Sequence, residues 1–347
     1  MAMSDAEMGT HADIPQWRPD LALGAVLAPM SGITDVAFRR IAHRFGASLV
    51  VSEMVASQEL VDGSQEAVMR AEGAGITPHV IQLAGCDAHW MGEAARVAEA
   101  SGAAMIDINM GCPAKRVIGG WAGSALMRDL DHATSLIEAV VAAVDIPVSV
   151  KMRLGWDDAS RNADELAHRA ETAGAVLITV HGRTRQQFYK GTANWAAVRR
   201  VREATTLPLV VNGDMADASD ARAALDQSGA DAVMIGRAAV GQPWLVGQVA
   251  AQLRCGTAPE SPSPSIKTEA ITEHYTTLLT LYGKKIGLRH ARKHLAAYCA
   301  DAERHGSAVA SRYRAELVTS EEPERVLALI QGLYEGSPES PAQREAA

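Results

Sequence analysis

Cysteine is scarce in this chain: four residues in 347 (Cys86, Cys112, Cys255 and Cys299), with no Cys-x-x-Cys pair among them. That spacing excludes a disulfide framework and a structural zinc site, and it points to a reducing compartment. Cys86-Asp87-Ala88-His89 offers two metal ligands, fewer than a site needs, so no metal is expected. Residues 1–20 carry neither a basic n-region nor an apolar h-region, which excludes a secretory signal. No apolar run reaches the length of about 20 residues that spans a bilayer. A cytoplasmic protein with no membrane contact and no obligatory protein partner is expected. Net positive charge is also missing. At a formal charge of −8 the overall field repels nucleic acid, so any attraction must come from a local basic patch. Finally, the first apolar run ends in Ala28-Pro29-Met30-Ser31-Gly32, which is not the Gly-x-Gly-x-x-Gly turn of a dinucleotide-binding fold.

What is present is a regular alternation. Short runs of Val, Ile, Leu and Ala predict strands at 25–28, 49–52, 80–83, 105–108, 148–152, 176–180, 209–211 and 232–235. Amphipathic spacing predicts helices at 88–100, 133–144, 163–173, 196–204 and 218–227. Strands apolar on both faces that alternate with helices make a parallel sheet covered on both sides. Eight such units in about 230 residues match a TIM (β/α)8 barrel; an open doubly wound sheet, which usually has fewer strands, is the alternative. A Pro/Ser-rich stretch at 255–265 marks a linker, and 266–334 reads as helix without strands. The expected organisation is a disordered 1–20, a barrel over 21–254, the linker, a small all-α helical domain over 266–334, and a disordered tail at 335–347.

Nearly every predicted strand delivers a polar or special residue near its carboxyl end: Pro29 and Met30, Glu53, Gln82, Asn109 with Cys112, Lys151, His181, Asn212, and Gly236 with Arg237. In a barrel these converge on one mouth, where chemistry is placed. Gly111-Cys112-Pro113 cannot continue a central strand or sit inside a helix, so Cys112 belongs to a loop. A small buried apolar thiol is the other reading of that residue. Gly213, Gly236 and Arg237 fall in the loops after strands seven and eight, where barrels commonly hold a phosphate. Lys151 could face an electron-rich cofactor ring and stabilise negative charge on it, or form a Schiff base; spacing does not separate the two.

The helical segment carries a second signal. Lys284, Lys285, Arg289, Arg292 and Lys293 occur with His290 and His294, and no carboxylate intervenes up to Tyr298. Leu288, Ala291, Leu295 and Cys299 form a buried stripe at helical spacing, and the basic residues project from other faces. A solvated face and a nucleic-acid contact both fit. His290 and His294, at i and i+4, lack the further ligands a metal would need.

Taken together, the segments resemble a known family. These are Ala28-Pro29-Met30-Ser31-Gly32-Ile33-Thr34-Asp35, Ser52-Glu53-Met54, Ile81-Gln82-Leu83-Ala84-Gly85, Asp107 to Pro113 with Ala114-Lys115, Lys151-Met152-Arg153, His181-Gly182-Arg183-Thr184-Arg185, Asn212-Gly213-Asp214 and Met234-Ile235-Gly236-Arg237-Ala238. In this order they resemble the tRNA-dihydrouridine synthases, most of all the bacterial B-type branch. The likeness covers roughly 21–253, and the segment 289–294 resembles the family's RNA-binding domain. Ser31, where Ala is commoner, and Trp121 in the loop after the cysteine are small departures that remove no functional group.

The resemblance implies reduction of the C5=C6 bond of specific uridines in the D-loop region of tRNA, with FMN as cofactor and NADPH as reductant. It places Pro29, Met30, Ser31, Gln82, Lys151 and His181 against the flavin, and Asn212, Gly213, Asp214, Gly236 and Arg237 at its phosphate end. It makes Cys112 the proton donor, a role suited to a thiol, which is ordinarily protonated at neutral pH. Asn109 and Arg183 would meet the substrate base, and Lys285, Arg289, Arg292 and Lys293 the RNA backbone. A flavin barrel that reduces a free small molecule, and a non-catalytic RNA-binding protein, are the other two readings.

Overall fold

The computed structural model describes residues 21–257 and 259–334; the ends expected to be disordered, 1–20 and 335–347, lie outside them. Eight parallel strands close into a barrel in sequence order, with the eighth pairing back to the first. They are β1 (Ala25–Leu27), β2 (Leu49–Ala56), β3 (Val80–Ala84), β4 (Met105–Met110), β5 (Val148–Arg153), β6 (Leu177–His181), β7 (Leu209–Asn212) and β8 (Ala232–Ile235). Around them run α1 (Val36–Arg44), α2 (Ser57–Val61), α3 (Gln65–Ala71), α4 (Ala88–Ala100), α5 (Lys115–Ile118), α6 (Leu130–Val141), α7 (Ala163–Thr172), α8 (Arg199–Ala204), α9 (Ala218–Ser228) and α10 (Leu245–Cys255). The expected barrel therefore forms.

The apolar strands are buried because both faces are covered. Leu27, Ile81, Leu83, Ile106, Val150, Ile178, Val211 and Ile235 share one core with Ala95, Leu136, Ile137, Leu166 and Ala221 of the helices. Each such side chain contributes roughly 1.5–3 kcal/mol by leaving water. Aspartates start the helices: Asp35, Asp87, Asp129 and Asp217 each accept backbone N–H bonds at the first turn of α1, α4, α6 and α9. The Asp129 cap starts α6 at Leu130, three residues before the expected 133. The helix expected at 196–204 divides into a 3-10 turn, Ala196–Val198, and α8.

Most strands run further than their apolar cores. β2 extends to Ala56 through a register shift between Val51 and Met54, and β4 extends to Met110. The ladder thus carries Glu53, Asn109, Arg153, His181 and Asn212 as strand residues, not as the first loop residues. Its register sets Asn109 beside Lys151, Arg153 beside His181, and His181 beside Asn212.

α10 runs through Cys255 and ends at Gly256 in the left-handed conformation, φ 78°, a favoured helix stop. The next helix, α11, begins at Pro264 with Ser263 as its cap, so the connection is shorter than the expected 255–265. Helix α11 spans Pro264–Arg304 but reverses at Gly283, φ 71° and ψ 164°. Its two limbs lie antiparallel, since Lys267 meets Asp301, His274 meets Tyr298, and Tyr282 stacks on His290. Gly287 is required near this turn, because a Cβ there would stand 2.6 Å from the Leu278 carbonyl oxygen. With α12 (Ala310–Thr319) and α13 (Pro323–Gln331) the hairpin builds a second core. Leu288, Ala291, Leu295 and Cys299 all belong to it, as the stripe predicts, and Trp244 of the barrel is included.

Candidate active site

At the carboxyl ends of the strands lies a cavity of about 920 Å³, a volume typical of small-molecule and cofactor sites. Thirteen of the residues singled out above line it: Pro29, Met30, Ser31, Gln82, Asn109, Cys112, Lys151, His181, Asn212, Gly213, Asp214, Gly236 and Arg237. The barrel brings them together from seven of its eight strand ends.

A hydrogen-bond relay sets the Cys112 loop. Asp107 is buried and accepts from Ser149 Oγ at 2.6 Å and from Gln82 Nε2 at 2.7 Å. With its amide nitrogen committed, Gln82 turns Oε1 to Asn109 Nδ2 at 2.7 Å. Asn109 then presents Oδ1 to the backbone N–H groups of Gly111, 3.2 Å, and Cys112, 2.9 Å. Because a carboxylate only accepts, Asp107 dictates the direction of the whole chain. Burial pushes its pKa up to about 6, against the hydrogen bonds and the Lys151 charge.

Arg153 ties two loops to each other. Its Nε donates to the Gly111 carbonyl at 2.7 Å, and Nη1 donates to the carbonyls of Thr184 and Phe188 at 3.1 and 2.9 Å. The loop bearing the thiol and the loop after β6 are thus held by one guanidinium. Strand periodicity already puts Arg153 on the same face as Lys151. Sequence reasoning gave it no role, and gave none to Asp107 or Tyr189 either.

Lys151 Nζ and His181 Nδ1 both reach Asn212 Oδ1, at 3.2 and 3.0 Å, and Asn212 Nδ2 donates to the Met234 carbonyl at 2.7 Å. An Asn212 oxygen that only accepts requires the proton on His181 Nδ1. Burial, together with Lys151, Arg153 and Arg183, keeps that imidazole well below its ordinary pKa, so it is neutral. Burial also lowers Lys151 to about 8, with Arg153 acting in the same direction. An anion seated beside Lys151 would reverse that shift.

At the far end, Asp214 is shared between two arginines. Arg183 forks onto both of its oxygens, Arg237 Nη2 donates to Oδ1 at 3.0 Å, and the Ala193 N–H donates to Oδ2 at 2.8 Å. These donors outweigh burial and hold the Asp214 carboxyl below its usual range. The trio carries one net positive charge, with Arg237 63% exposed toward the cavity rim. Gly213, φ 126°, cannot be replaced, since a Cβ would stand 2.7 Å from that of Ala193. At Gly236 a Cβ would meet Met30 Sδ at 3.6 Å and the Ala28 Cβ at 3.7 Å, ordinary contact distances, and the residue lines the cavity.

Arg183 departs from expectation. It is 1% exposed and does not line the cavity; its donors go to Asp214, the Lys190 carbonyl and the Gly191 carbonyl. It holds Asp214 and also lies 3.4 Å from His181 Nε2, so its bonds go to residues around the cavity. The four basic residues of the second α11 limb also separate. Lys285 and Arg289 are exposed, whereas Arg292 is half-buried with its Nε unpartnered. Lys293 is exposed as well, but its Nζ lies 3.0 Å from where a Cβ of Gly32 would sit, within the field of Glu53. Glu53 in turn accepts from the Gly32 N–H at 2.6 Å. Lys293 thus stands beside the first mouth loop, where the second limb of α11 approaches the barrel.

Among the described residues, three metal-type ligands converge in one place, at Asp35, His274 and His294. Asp35 uses Oδ1 for the α1 cap, while Oδ2 faces His274 Nε2 at 3.2 Å and His294 Nε2 at 3.7 Å. His290 stands apart, stacked on Tyr282 at 4.5 Å. This buried group joins the barrel to the hairpin and lies away from the cavity.

Fold and site define a (β/α)8-barrel enzyme with a cavity at its mouth lined by a thiol, a lysine, a neutral histidine and an arginine. Comparison with known proteins specifies the class. The profile of the dihydrouridine synthase (Dus) family matches residues 26–334. A probable tRNA-dihydrouridine synthase of Rhizobium leguminosarum bv. phaseoli is 54% identical over 305 residues, covering 88% of this chain and 93% of its own. One from Rhodobacter capsulatus is 51% identical over 324 residues, covering 93% and 96%. A tRNA-dihydrouridine synthase B of Xanthomonas campestris pv. campestris is 42% identical over 316 residues, covering 91% and 94%. The chain belongs to the tRNA-dihydrouridine synthase family, a family of oxidoreductases. No helix among the described residues is long and apolar enough to cross a membrane.

Proposed function

We propose that the chain reduces uridine in the D-loop region of tRNA to 5,6-dihydrouridine in the cytoplasm, with FMN across the barrel mouth and NADPH as reductant. The observation that carries this reading is the cavity itself. A thiol sits on one wall, a lysine and a neutral histidine share one amide oxygen on another, and an arginine with two cavity-lining glycines stands at one end.

The donor set fits FMN. Arg237 and the backbone at Gly236 would take the phosphate, with Asp214 and Arg183 orienting the guanidinium. Ala28, Pro29 and Met30 offer an apolar wall, and Gln82, Asn109 and Lys151 offer polar groups to the ring edge. When bound and reduced, FMN supplies the hydride equivalent that C6 of uracil receives. Lys151, protonated below about pH 8, stabilises negative charge at the ring edge. Cys112 gives its Sγ proton to C5, and the loop bonds from Asn109 and Arg153 hold that sulfur in place. Extruding the base from the folded RNA brings it to the thiol. Lys285 and Arg289, exposed on the helical unit at 266–334, would grip phosphates.

Cys112→Ala tests the assignment. The variant should bind FMN and accept electrons from NADPH like its parent, while dihydrouridine formation on tRNA falls by about 100-fold or more. Unchanged turnover on tRNA would refute the proton-donor role. Parent activity on free uridine but not on tRNA would refute the substrate.

A further inference from the structure

Three large aromatic side chains are exposed among the described residues, and all stand on the barrel mouth. Trp121 is 59% exposed in the stretch after α5, and Phe188 and Tyr189 are 42% and 47% exposed in the loop after β6. Two of them are held in left-handed backbone, Trp121 at φ 58° and Phe188 at φ 54°, a conformation that strains a bulky residue. A lone exposed ring needs no explanation, but each of these belongs to a cluster of rings and guanidinium groups. The Arg128 guanidinium lies 5.4 Å from the Trp121 ring and 4.9 Å from that of Trp156, and Arg185 lies 4.7 Å from Trp156. Phe188 packs edge-on to Tyr189 at 4.7 Å, and Arg237 lies 5.2 Å from Tyr189. Phe188, Tyr189 and Arg116 also line the cavity.

Charge completes the pattern. Lys115, Arg116, Arg128 and Arg185 stand on this rim, and none has a carboxylate partner among the described residues, although neighbouring Arg161 and Arg237 do. Rings alternating with unpaired cations match unpaired nucleotides, whose bases stack on aromatic faces while the phosphates between them take the charges. A paired RNA stem hides its base faces, and an apolar protein segment would leave the cations uncompensated.

We propose that this band is a stacking platform for the unpaired nucleotides flanking the target base, with Trp121 and Phe188 each taking one base. It rests on the reading that the substrate is tRNA. Trp121 shares the loop that carries the thiol, where Ser124 binds the Cys112 carbonyl through both its N–H and its hydroxyl. A base stacked on Trp121 would therefore also steady Cys112.

The test uses Trp121→Gly and Phe188→Gly, since glycine suits a positive φ and should leave the thermal midpoint at or above that of the parent. Trp121→Phe keeps a ring. Affinity for unmodified tRNA is measured by filter binding over a series of salt concentrations. Each glycine variant should bind about tenfold or more weakly, and Trp121→Phe should stay within about threefold of the parent. The slope of log K against log salt should not change, because no phosphate contact is lost. Parent-like binding by both glycine variants overturns the platform while leaving the enzyme's function intact. A weakened variant with a shallower salt slope overturns it too, in favour of a purely electrostatic rim. A parent that neither binds nor modifies tRNA overturns the functional reading and the platform with it.

Discussion

Asp107→Asn should make the protein more stable at neutral pH and less active. In the folded chain the Asp107 carboxyl is pushed up to about 6 from its ordinary 3.8, with burial as the main cause. The ionised form is therefore penalised by about 3 kcal/mol relative to the unfolded chain at pH 7. Asparagine removes that penalty and keeps the contacts. Gln82 Nε2 can donate to its oxygen. Ser149 Oγ can turn its proton to the Ile106 carbonyl, already 3.4 Å away, and accept from the new amide. Part of the gain is lost to the buried amide, so about 1–2 kcal/mol is expected. The sign of the pH dependence is set by the raised pKa. The folded aspartate takes up its proton as pH falls through about 6, which restores parental stability, so the advantage of asparagine should shrink below pH 6 and vanish near pH 4. Urea unfolding of both proteins from pH 4 to 8 reads this directly. A stability difference that is flat across that range, or a less stable variant at pH 7.5, would refute the argument. Activity should fall because an amide, unlike a carboxylate, can present either end to Gln82. The direction of the Gln82–Asn109–Cys112 relay is then no longer dictated.

Lys151→Ala should weaken FMN binding. In the parent, affinity should decline as pH rises through about 8, where the lysine loses its charge; a fluorescence titration between pH 7 and 9 should show that step in the parent and not in the variant. A substrate adduct on Lys151 trapped by borohydride would count against this role. Reversing Lys285 and Arg289 to Glu should raise KM for tRNA and make the slope of log K against log salt shallower by roughly two, with FMN content unchanged; parental binding at low salt would show the pair to be an ordinary solvated face.

The barrel was legible because its strands are apolar on both faces, a pattern few other architectures require. The strand ends were not. Reading apolarity stops a strand at its first polar residue, yet here the polar residues are the last rungs of the ladder. Asn109, Arg153, His181 and Asn212 stay paired past the apolar run because backbone hydrogen bonding ignores side-chain polarity, and Glu53 falls at the register shift inside β2. The cavity lining was legible for the same reason: Asn109, Arg153, His181 and Asn212, and the glycines beyond them, open on one mouth, whereas buried Glu53 does not line it. Arg183 was not, since nothing local reveals that Asp214, far along the chain, sits over it and takes its donors. The split among Lys285, Arg289, Arg292 and Lys293 was hidden likewise, because helical periodicity names faces but not what packs on each. The reversal at Gly283 decides that.

Asp35 divides its two oxygens between two parts of the molecule: one starts α1, and the other faces His274 and His294 of the hairpin. The loop that begins at Pro29 and ends at Asp35 is thereby riveted to the helical unit. That helical unit is not an interchangeable attachment. Cutting the chain at 263 would free a barrel whose first mouth loop has lost its anchor, and a helical unit transplanted from a relative would have to bring partners for this one carboxylate.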